Sequence, residues 1–314
     1  MSERMKVFIT RRLPRIAEDM LSEHFLVRSN SENRPLPREE LAKVAAEYDA
    51  ILATVTEKFD REIIGRKNNL AVISNYAVGL DNIDLEYAAA KGIAIYNTPD
   101  AVTDSTADLT FALLLSLIRK IPAAQDFVRR DKWNSWDPEL FLGEELRGKT
   151  FGILGFGRIG QAVAQRAAGF GLEIIYHNRP LVKNPNSDFF QVNLDFLLEN
   201  SDYISIHLPL TAETAGYIDS RKMNLMKKNP IVLNMARGGI VNTDDLHSAL
   251  KSGQIRGACL DVTAPEPLSG DHPLCQLDNC LIIPHIGTAT LECRKNMARD
   301  AAQNIIDHFS KNRR

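Results

Sequence analysis

The stretch that decides the fold reads Thr150-Phe-Gly-Ile-Leu-Gly155-Phe156-Gly157-Arg158-Ile159-Gly160-Gln-Ala-Val-Ala. Residues 151–154 form an apolar run that suits a strand, and an alanine-rich helical stretch follows Gly160. A GxGxxG pattern alone marks any glycine turn between a strand and a helix. With both flanks present it has the context that a dinucleotide requires. Gly155 allows the tight turn, Gly157 clears a side chain from the pyrophosphate, and Gly160 lets the helix lie close on the strand. The helix start then offers free N–H groups and the positive end of its dipole to the phosphates.

The end of the next strand bears on the choice of cofactor. A site for NAD usually ends that strand with Asp or Glu, which accepts from the ribose hydroxyls. Here it reads Tyr176-His177-Asn178-Arg179-Pro180, with no carboxylate to repel a 2′-phosphate. Arg179 can pair with that phosphate through its planar fork of donors. The expectation is NADPH, with NADH as an alternative if Arg179 only faces water.

Outward from this turn, short apolar runs alternate with helical ones. Strands are expected at residues 173–176, 203–206, 231–234, 258–261 and 281–283 after the glycine turn. Before it, Lys6-Val7-Phe8-Ile9, Ala50-Ile51-Leu52-Ala53, Leu70-Ala71-Val72-Ile73 and Ile93-Ala94-Ile95-Tyr96 read the same way. Helical character fills residues 38–46 and 85–91 between them. A single long helix is expected over residues 103–128, bent or interrupted at Pro122, and another over 290–309. A loop rich in Trp, Asp and Pro runs from 133 to 143. These patterns give an α/β chain of two Rossmann-like, doubly wound parallel-sheet domains, the second inserted in the first. Residues 1–99 and 286–314 would form the substrate domain, and 100–285 the nucleotide domain.

Length and composition agree with two domains. The chain has 314 residues, beyond the size at which one core usually stops growing. Its net charge of −2, without a basic block except the terminal Arg313-Arg314, speaks against a nucleic-acid partner. The longest apolar run, near residues 111–118, is too short for a bilayer and is closed by Arg119-Lys120. No signal-peptide pattern opens the chain. Cys259, Cys275, Cys280 and Cys293 show no CxxC or His/Cys ligand spacing. Free thiols in a reducing cytoplasm, and no metal, are expected.

Three later segments fall at strand ends, where doubly wound sheets place ligands. They are Asn234-Met235-Ala236-Arg237-Gly-Gly, Leu260-Asp261-Val-Thr-Ala-Pro-Glu266-Pro267 and Ile283-Pro284-His285-Ile-Gly287. Reduction of a 2-oxo acid needs the types they present. A guanidinium binds the carboxylate and polarises the carbonyl. An imidazolium donates a proton as hydride arrives. A carboxylate beside that imidazole favours its protonated form. Taken singly, Arg237 suits a surface charge, Glu266 a loop acid and His285 a core histidine equally well.

These segments, with the glycine turn and Val78-Gly79-Leu80-Asp81, resemble the D-isomer-specific 2-hydroxyacid dehydrogenase family over nearly the whole chain. Thr98-Pro99-Asp100-Ala-Val-Thr103-Asp104, Trp133-Asn-Ser-Trp136-Asp-Pro138 and Asp261-Val-Thr-Ala-Pro-Glu-Pro267-Leu are similar to its glyoxylate/hydroxypyruvate reductase branch. The resemblance implies an active site in the cleft between the domains. His285 would be the acid/base, Glu266 its partner and Arg237 the substrate anchor. Asn75 and the backbone of Val78 and Gly79 would meet the substrate. The cofactor would lie against Gly155, Phe156, Gly157, Arg158, Ile159, Gly160, Asn178 and Arg179. Asp261 would hold the nicotinamide carboxamide, and Leu208, Pro209 and Thr214 would border the adenosine. Thr106, Met235, Ala236, Arg237, His285 and Gly287 complete the cofactor contacts. A homodimer is implied, with the long helix at the contact and Trp136 reaching the neighbouring site.

Ala107-Asp108 stands where much of the family has Ala-Glu, which bears on packing more than on chemistry. The absence of an extension after Arg314 speaks against a feedback-controlled phosphoglycerate dehydrogenase. The activity implied is reduction of glyoxylate and hydroxypyruvate to glycolate and D-glycerate. A reductase of other 2-oxo acids and a non-catalytic nucleotide-sensing protein are the alternatives.

Overall fold

The computed structural model describes residues 4–179 and 188–311. Pro180 and the Arg313-Arg314 end fall outside them. The chain divides into two compact units, Met1–Val102 with Thr288–Arg314, and Thr103–Gly287. The second is inserted in the first.

The first unit runs β1 (Lys6–Ile9), α1 (Ile16–Ser22), β2 (Leu26–Ser29), α2 (Arg38–Glu47), β3 (Ala50–Ala53), α3 (Arg61–Gly65), β4 (Val72–Asn75), α4 (Leu85–Ala90) and β5 (Ala94–Tyr96). The second runs α5 (Thr103–Ile118), α6 (Ile121–Arg129), β6 (Thr150–Leu154), α7 (Arg158–Gly169), β7 (Glu173–His177), β8 (Phe189–Gln191), α8 (Leu194–Asn200), β9 (Tyr203–Ile206), α9 (Ser220–Met223), β10 (Ile231–Asn234), α10 (Thr243–Ser252), β11 (Gly257–Leu260) and β12 (Cys280–Ile282). The last helix, α11 (Leu291–Lys311), belongs to the first unit.

Both sheets are wholly parallel. The first has the order β2-β1-β3-β4-β5 and the second β12-β11-β10-β9-β6-β7-β8. Helices cover both faces of a parallel sheet, so its central strands are buried on both sides. That explains why β3, β9, β10 and β11 read as unbroken buried runs, while the edge strand β2 alternates exposed and half-buried. The order of the second sheet reverses between β6 and β9, and ligands of open α/β sheets bind outside the carboxyl ends of strands at that point. The glycine turn leaves β6 there.

One expectation is corrected and another is made specific. The strand expected at residues 70–73 lies two residues later, at Val72–Asn75, because Ala50 of β3 pairs with Val72. Its polar end, Ser74 and Asn75, is fully buried. The interruption expected at Pro122 in the 103–128 segment is a full break that divides it into two helices. The helix α5 stops at Ile118, Lys120 adopts a left-handed conformation (φ 52°), and Pro122 falls in the first turn of α6. Proline clashes with the carbonyl four residues earlier, here that of Ile118. That carbonyl instead accepts from the Glu144 amide at 3.3 Å.

Each unit has its own core. In the second, Phe111 of α5 stacks on Phe151 of β6, and Val163, Ala164 and Ala167 of α7 are completely buried with them. Asp108, the shorter acid noted in the sequence, accepts from Arg166 Nε of α7 at 2.6 Å, and Asp104 accepts from Nη2 at 3.0 Å. In the first unit, α11 buries Met297, Ala301, Ala302 and Ile305, and Phe309 packs on Phe25. Among the described residues no helix is long and apolar enough to cross a membrane. All four cysteines are free.

Candidate active site

The turn after β6 is shaped by backbone contacts. Gly155 sits at φ +92°, and a Cβ there would lie 2.7 Å from the carbonyl oxygen of His207. A Cβ on Gly160 would fall 2.2 Å from the carbonyl oxygen of Gly155. Gly157 differs, since a Cβ there would meet nothing within 4 Å. It caps α7 without a side-chain hydrogen bond, and Arg158 and Ile159 form the helix's first residues. The backbone at Gly157 is therefore open to close approach by a ligand beside the start of α7, which suits an anion. The Phe156 amide donates to Asn178 Oδ1 at 3.1 Å, and its ring stacks on Tyr176 at 3.7 Å. The turn is thereby tied to the end of β7. Tight packing at two glycines and clear space at the third fit a dinucleotide with its pyrophosphate against the helix start.

Arg179 follows β7 and pairs with the carboxylate of Glu213, both side chains being exposed. The strand end carries no acid of its own, but the fold brings one from the loop after β9. On that loop Thr214 is buried, donates to the Pro209 carbonyl at 2.6 Å and accepts from the Thr211 amide at 2.7 Å. Leu208 packs against the core.

Arg237, Glu266 and His285 stand on the loops after β10, β11 and β12. Asn234, 1% exposed at the end of β10, frames the first loop. Its Nδ2 donates to the Arg237 carbonyl at 2.9 Å, and its Oδ1 accepts from the Ala236 amide at 3.2 Å. Met235 is buried beside it. A Cβ on Gly238 would fall 2.0 Å from the Thr263 carbonyl, so the first two loops meet backbone to backbone. His285 Nδ1 lies 2.6 Å from Glu266 Oε1. Burial by itself would raise the Glu266 carboxyl. The hydrogen bond and charge of His285, the Thr263 amide and the charge of Arg237 outweigh it and hold Glu266 below the usual carboxylate range. Glu266 thus lies within electrostatic reach of both His285 and Arg237.

His285 has φ +51°, a left-handed conformation unusual for a residue with a side chain. Such strain persists only where the surroundings over-determine it. Asp261, 2% exposed, does so. Its carbonyl accepts from the His285 amide at 2.8 Å, and its Oδ1 and Oδ2 accept from the amides of Ile286 at 2.6 Å and Gly287 at 2.9 Å. Burial pushes the Asp261 carboxyl up, against the pull of those amides. Ser105 and Thr106 of α5 donate to the Gly287 carbonyl at 2.8 and 3.4 Å.

In the first unit, Asn75 is completely buried, and Val78 is exposed on the loop that follows. Asn75 Nδ2 donates to the Gly79 carbonyl at 2.9 Å and to Asn82 Oδ1 at 3.1 Å. Trp136, on the loop after α6, is 81% exposed.

Sequence reasoning assigned nothing to Asn234 or Glu213. Asn234 could have been found: it is a polar residue ending the otherwise apolar run Ile-Val-Leu-Asn, and buried polar groups need partners. Glu213 could not, since it lies 34 residues from Arg179.

Hydride chemistry on a dinucleotide calls for a phosphate-binding turn and for a proton donor with an anion anchor on the same sheet's carboxyl edge. The second unit carries the glycine turn and, on the same carboxyl edge, an imidazole and a guanidinium, the side-chain types that a dinucleotide-dependent oxidoreductase uses. Residues 111–287 match the family model for the D-isomer specific 2-hydroxyacid dehydrogenase NAD binding domain. A glyoxylate reductase from Thermococcus litoralis is 45% identical over 307 residues, covering 96% of this chain and 92% of that one. A glyoxylate reductase structure from Paecilomyes thermophila superposes with a TM-score of 0.90 at 32% identity, covering 99% of this chain and 97% of that one. An NADPH-dependent glyoxylate/hydroxypyruvate reductase from Sinorhizobium meliloti, solved with NADP and malonate, gives 0.86 at 28% identity, covering 98% and 94%.

The chain belongs to the D-isomer-specific 2-hydroxyacid dehydrogenase family. It is a nicotinamide-dependent dehydrogenase of a small 2-oxo acid and its 2-hydroxy counterpart.

Proposed function

We propose that the chain reduces glyoxylate and hydroxypyruvate to glycolate and D-glycerate, with NADPH as the preferred cofactor. The observation that carries the reading is the 2.6 Å pair between His285 Nδ1 and Glu266 Oε1, with Arg237 close enough to help hold Glu266 ionised. That pair uses one ring nitrogen and leaves Nε2 for the substrate oxygen. The identity to glyoxylate reductases supports the substrate class.

The dihydronicotinamide supplies the hydride when bound. The amides of Gly157, Arg158 and Ile159 would hold its pyrophosphate, and Arg179 its 2′-phosphate. Leu208, Pro209 and Thr214 would border the adenosine. Asp261, Thr106, Met235, Ala236 and Gly287 would surround the nicotinamide end. Arg237 binds the substrate carboxylate and draws charge from the carbonyl. His285 delivers a proton to the carbonyl oxygen, and Glu266 stabilises the imidazolium before that transfer. In the first unit the amides of Val78 and Gly79 would receive a carboxylate, with Asn75 behind them on the Gly79 carbonyl, and residues 1–99 and 286–314 would be the substrate domain.

A second copy of the chain would cover α6. None of the residues of that helix is buried, and Ile121, Val128, Trp136 and Leu142 on it and the following loop are exposed. In such a homodimer Trp136 would select for small substrates.

A panel of 2-oxo acids, read by nicotinamide absorbance with NADPH and NADH in parallel, tests the proposal. Turnover of glyoxylate and hydroxypyruvate above that of a phenyl-bearing 2-oxo acid is the expected result. Equal or faster turnover of the bulky acid would overturn the substrate assignment. Arg179→Ala should lower NADPH affinity at least tenfold and leave NADH affinity within about twofold, as loss of one charged phosphate contact implies. Equal losses for both cofactors would remove Arg179 from the 2′-phosphate site.

A further inference from the structure

The loop after β4 is built in an unusual way, and the construction involves residues that the proposed chemistry does not use. Three successive carbonyls are taken by side chains or backbone behind it. Ala77 O accepts from the Thr98 amide at 2.9 Å and from its hydroxyl at 3.3 Å. Val78 O accepts from Asn97 Nδ2 at 2.8 Å. Gly79 O accepts from Asn75 Nδ2 at 2.9 Å. In a trans peptide the N–H of the next residue points opposite to the carbonyl. Clamping Ala77 O therefore aims the Val78 N–H away from Thr98, and clamping Val78 O aims the Gly79 N–H away from Asn97. Among the described residues, neither amide donates to a protein group. Two consecutive amides left open in this way form a concavity for an anion.

Asn97 is itself held by a tertiary contact. It follows β5, and its own carbonyl accepts from Asn304 Nδ2 of α11 at 3.1 Å. The same Asn304 amide reaches Ser74 Oγ at 3.5 Å. A line of contacts thus runs from α11, 207 residues away in sequence, through Asn97 to the Val78 peptide. The neighbouring side of the loop is fixed by Asn82, whose Nδ2 donates to the carbonyls of Thr54 at 3.1 Å and Glu57 at 2.9 Å.

We propose that Asn97 is a positioning residue for substrate recognition: by holding the Val78 carbonyl, it fixes the peptide whose Gly79 amide receives the substrate carboxylate. The proposal rests on the reading of Val78 and Gly79 as a carboxylate anchor. Without the Asn97 donor the Val78–Gly79 peptide can rotate, and the carbonyl can turn toward the anion. The loss falls on binding of the carboxylate in ground and transition states alike, so it appears in KM and not in kcat.

The test uses the full chain with Asn97→Ala and with the isosteric Asn97→Asp, which keeps the size but cannot donate at neutral pH. Each should raise the KM for the small 2-oxo acid about tenfold or more, as loss of one fixed carboxylate contact implies, with kcat within about twofold. The dissociation constant of oxamate, a non-reacting 2-oxo acid isostere, should rise by the same factor, and that of the cofactor should not. Thermal melting of Asn97→Asp confirms that the fold is kept. Unchanged KM and oxamate binding in both variants would overturn the proposal. Gly79→Pro, which deletes the amide that Asn97 is proposed to aim, separates that failure from failure of the underlying reading. If Gly79→Pro weakens oxamate and the Asn97 variants do not, Asn97 alone is misassigned. If Gly79→Pro binds oxamate normally, the loop is not the anchor and the proposal falls with it.

Discussion

Replacing Asp261 with Asn should cripple turnover through His285, a residue it does not exchange protons with. The Asp261 carboxylate accepts from the amides of Ile286 and Gly287, which follow the strained His285. Asn keeps one acceptor and turns an NH2 toward the other amide, so one charge-assisted hydrogen bond is lost and one buried N–H is left facing a donor. Loss of a hydrogen bond to a charged group costs about 1.5–3 kcal/mol. Burial pushes Asp261 up, so the neutral amide also sheds part of a desolvation cost, and the lower figure applies. If that loss falls on the catalytic arrangement, about 1.5 kcal/mol lowers kcat roughly tenfold. The assay is steady-state kcat at saturating 2-oxo acid, with cofactor affinity measured separately by fluorescence. A kcat within twofold of the parent, or a loss confined to cofactor affinity, would refute the view that Asp261 works by holding the histidine loop.

Other outcomes follow from the same geometry. His285→Ala should cut kcat by about 10²–10⁴, the usual worth of a general acid, while changing cofactor affinity little; near-normal turnover would remove His285 from its role. Gly160→Ala puts a Cβ 2.2 Å from a backbone carbonyl and should destabilise the fold by about 1–3 kcal/mol, seen as a lower melting temperature. Gly157→Asp has open space around it, so it should fold normally yet bind the cofactor at least tenfold more weakly through repulsion of the pyrophosphate; the reverse pattern would contradict the assigned turn. His207, whose Nδ1 is buried without a partner among the described residues, is pushed down to about 3 by burial. The unfolded chain takes up that proton near pH 6.5 and the folded one does not. Stability should therefore fall as pH drops below about 6.5, by up to ~1.4 kcal/mol per pH unit. Urea unfolding from pH 7 to 5 measures the slope, and His207→Gln should flatten it; identical slopes would show that another group sets the acid limb.

By itself, the amino-acid sequence determined the class of fold and its most local chemistry. Parallel strands buried on both faces are mostly apolar, so β3, β6, β9 and β10 were legible as runs of residues. The glycine turn was legible because its function depends on missing side chains at fixed spacing, a requirement the chain meets within the six residues from Gly155 to Gly160. Arg237, Glu266 and His285 were legible as types at strand ends, and family resemblance, not spacing, joined them. Tertiary structure decided the rest. The β4 register moved by two because pairing with β3 and the hydrogen bonds of Asn75 outweighed local apolarity. Glu213 reached Arg179, Asp261 gripped the His285 loop, and Asn304 braced Asn97 across long stretches of chain. Hydrogen bonds of that kind depend on distances of about 3 Å between groups far apart in sequence, and no linear pattern encodes them.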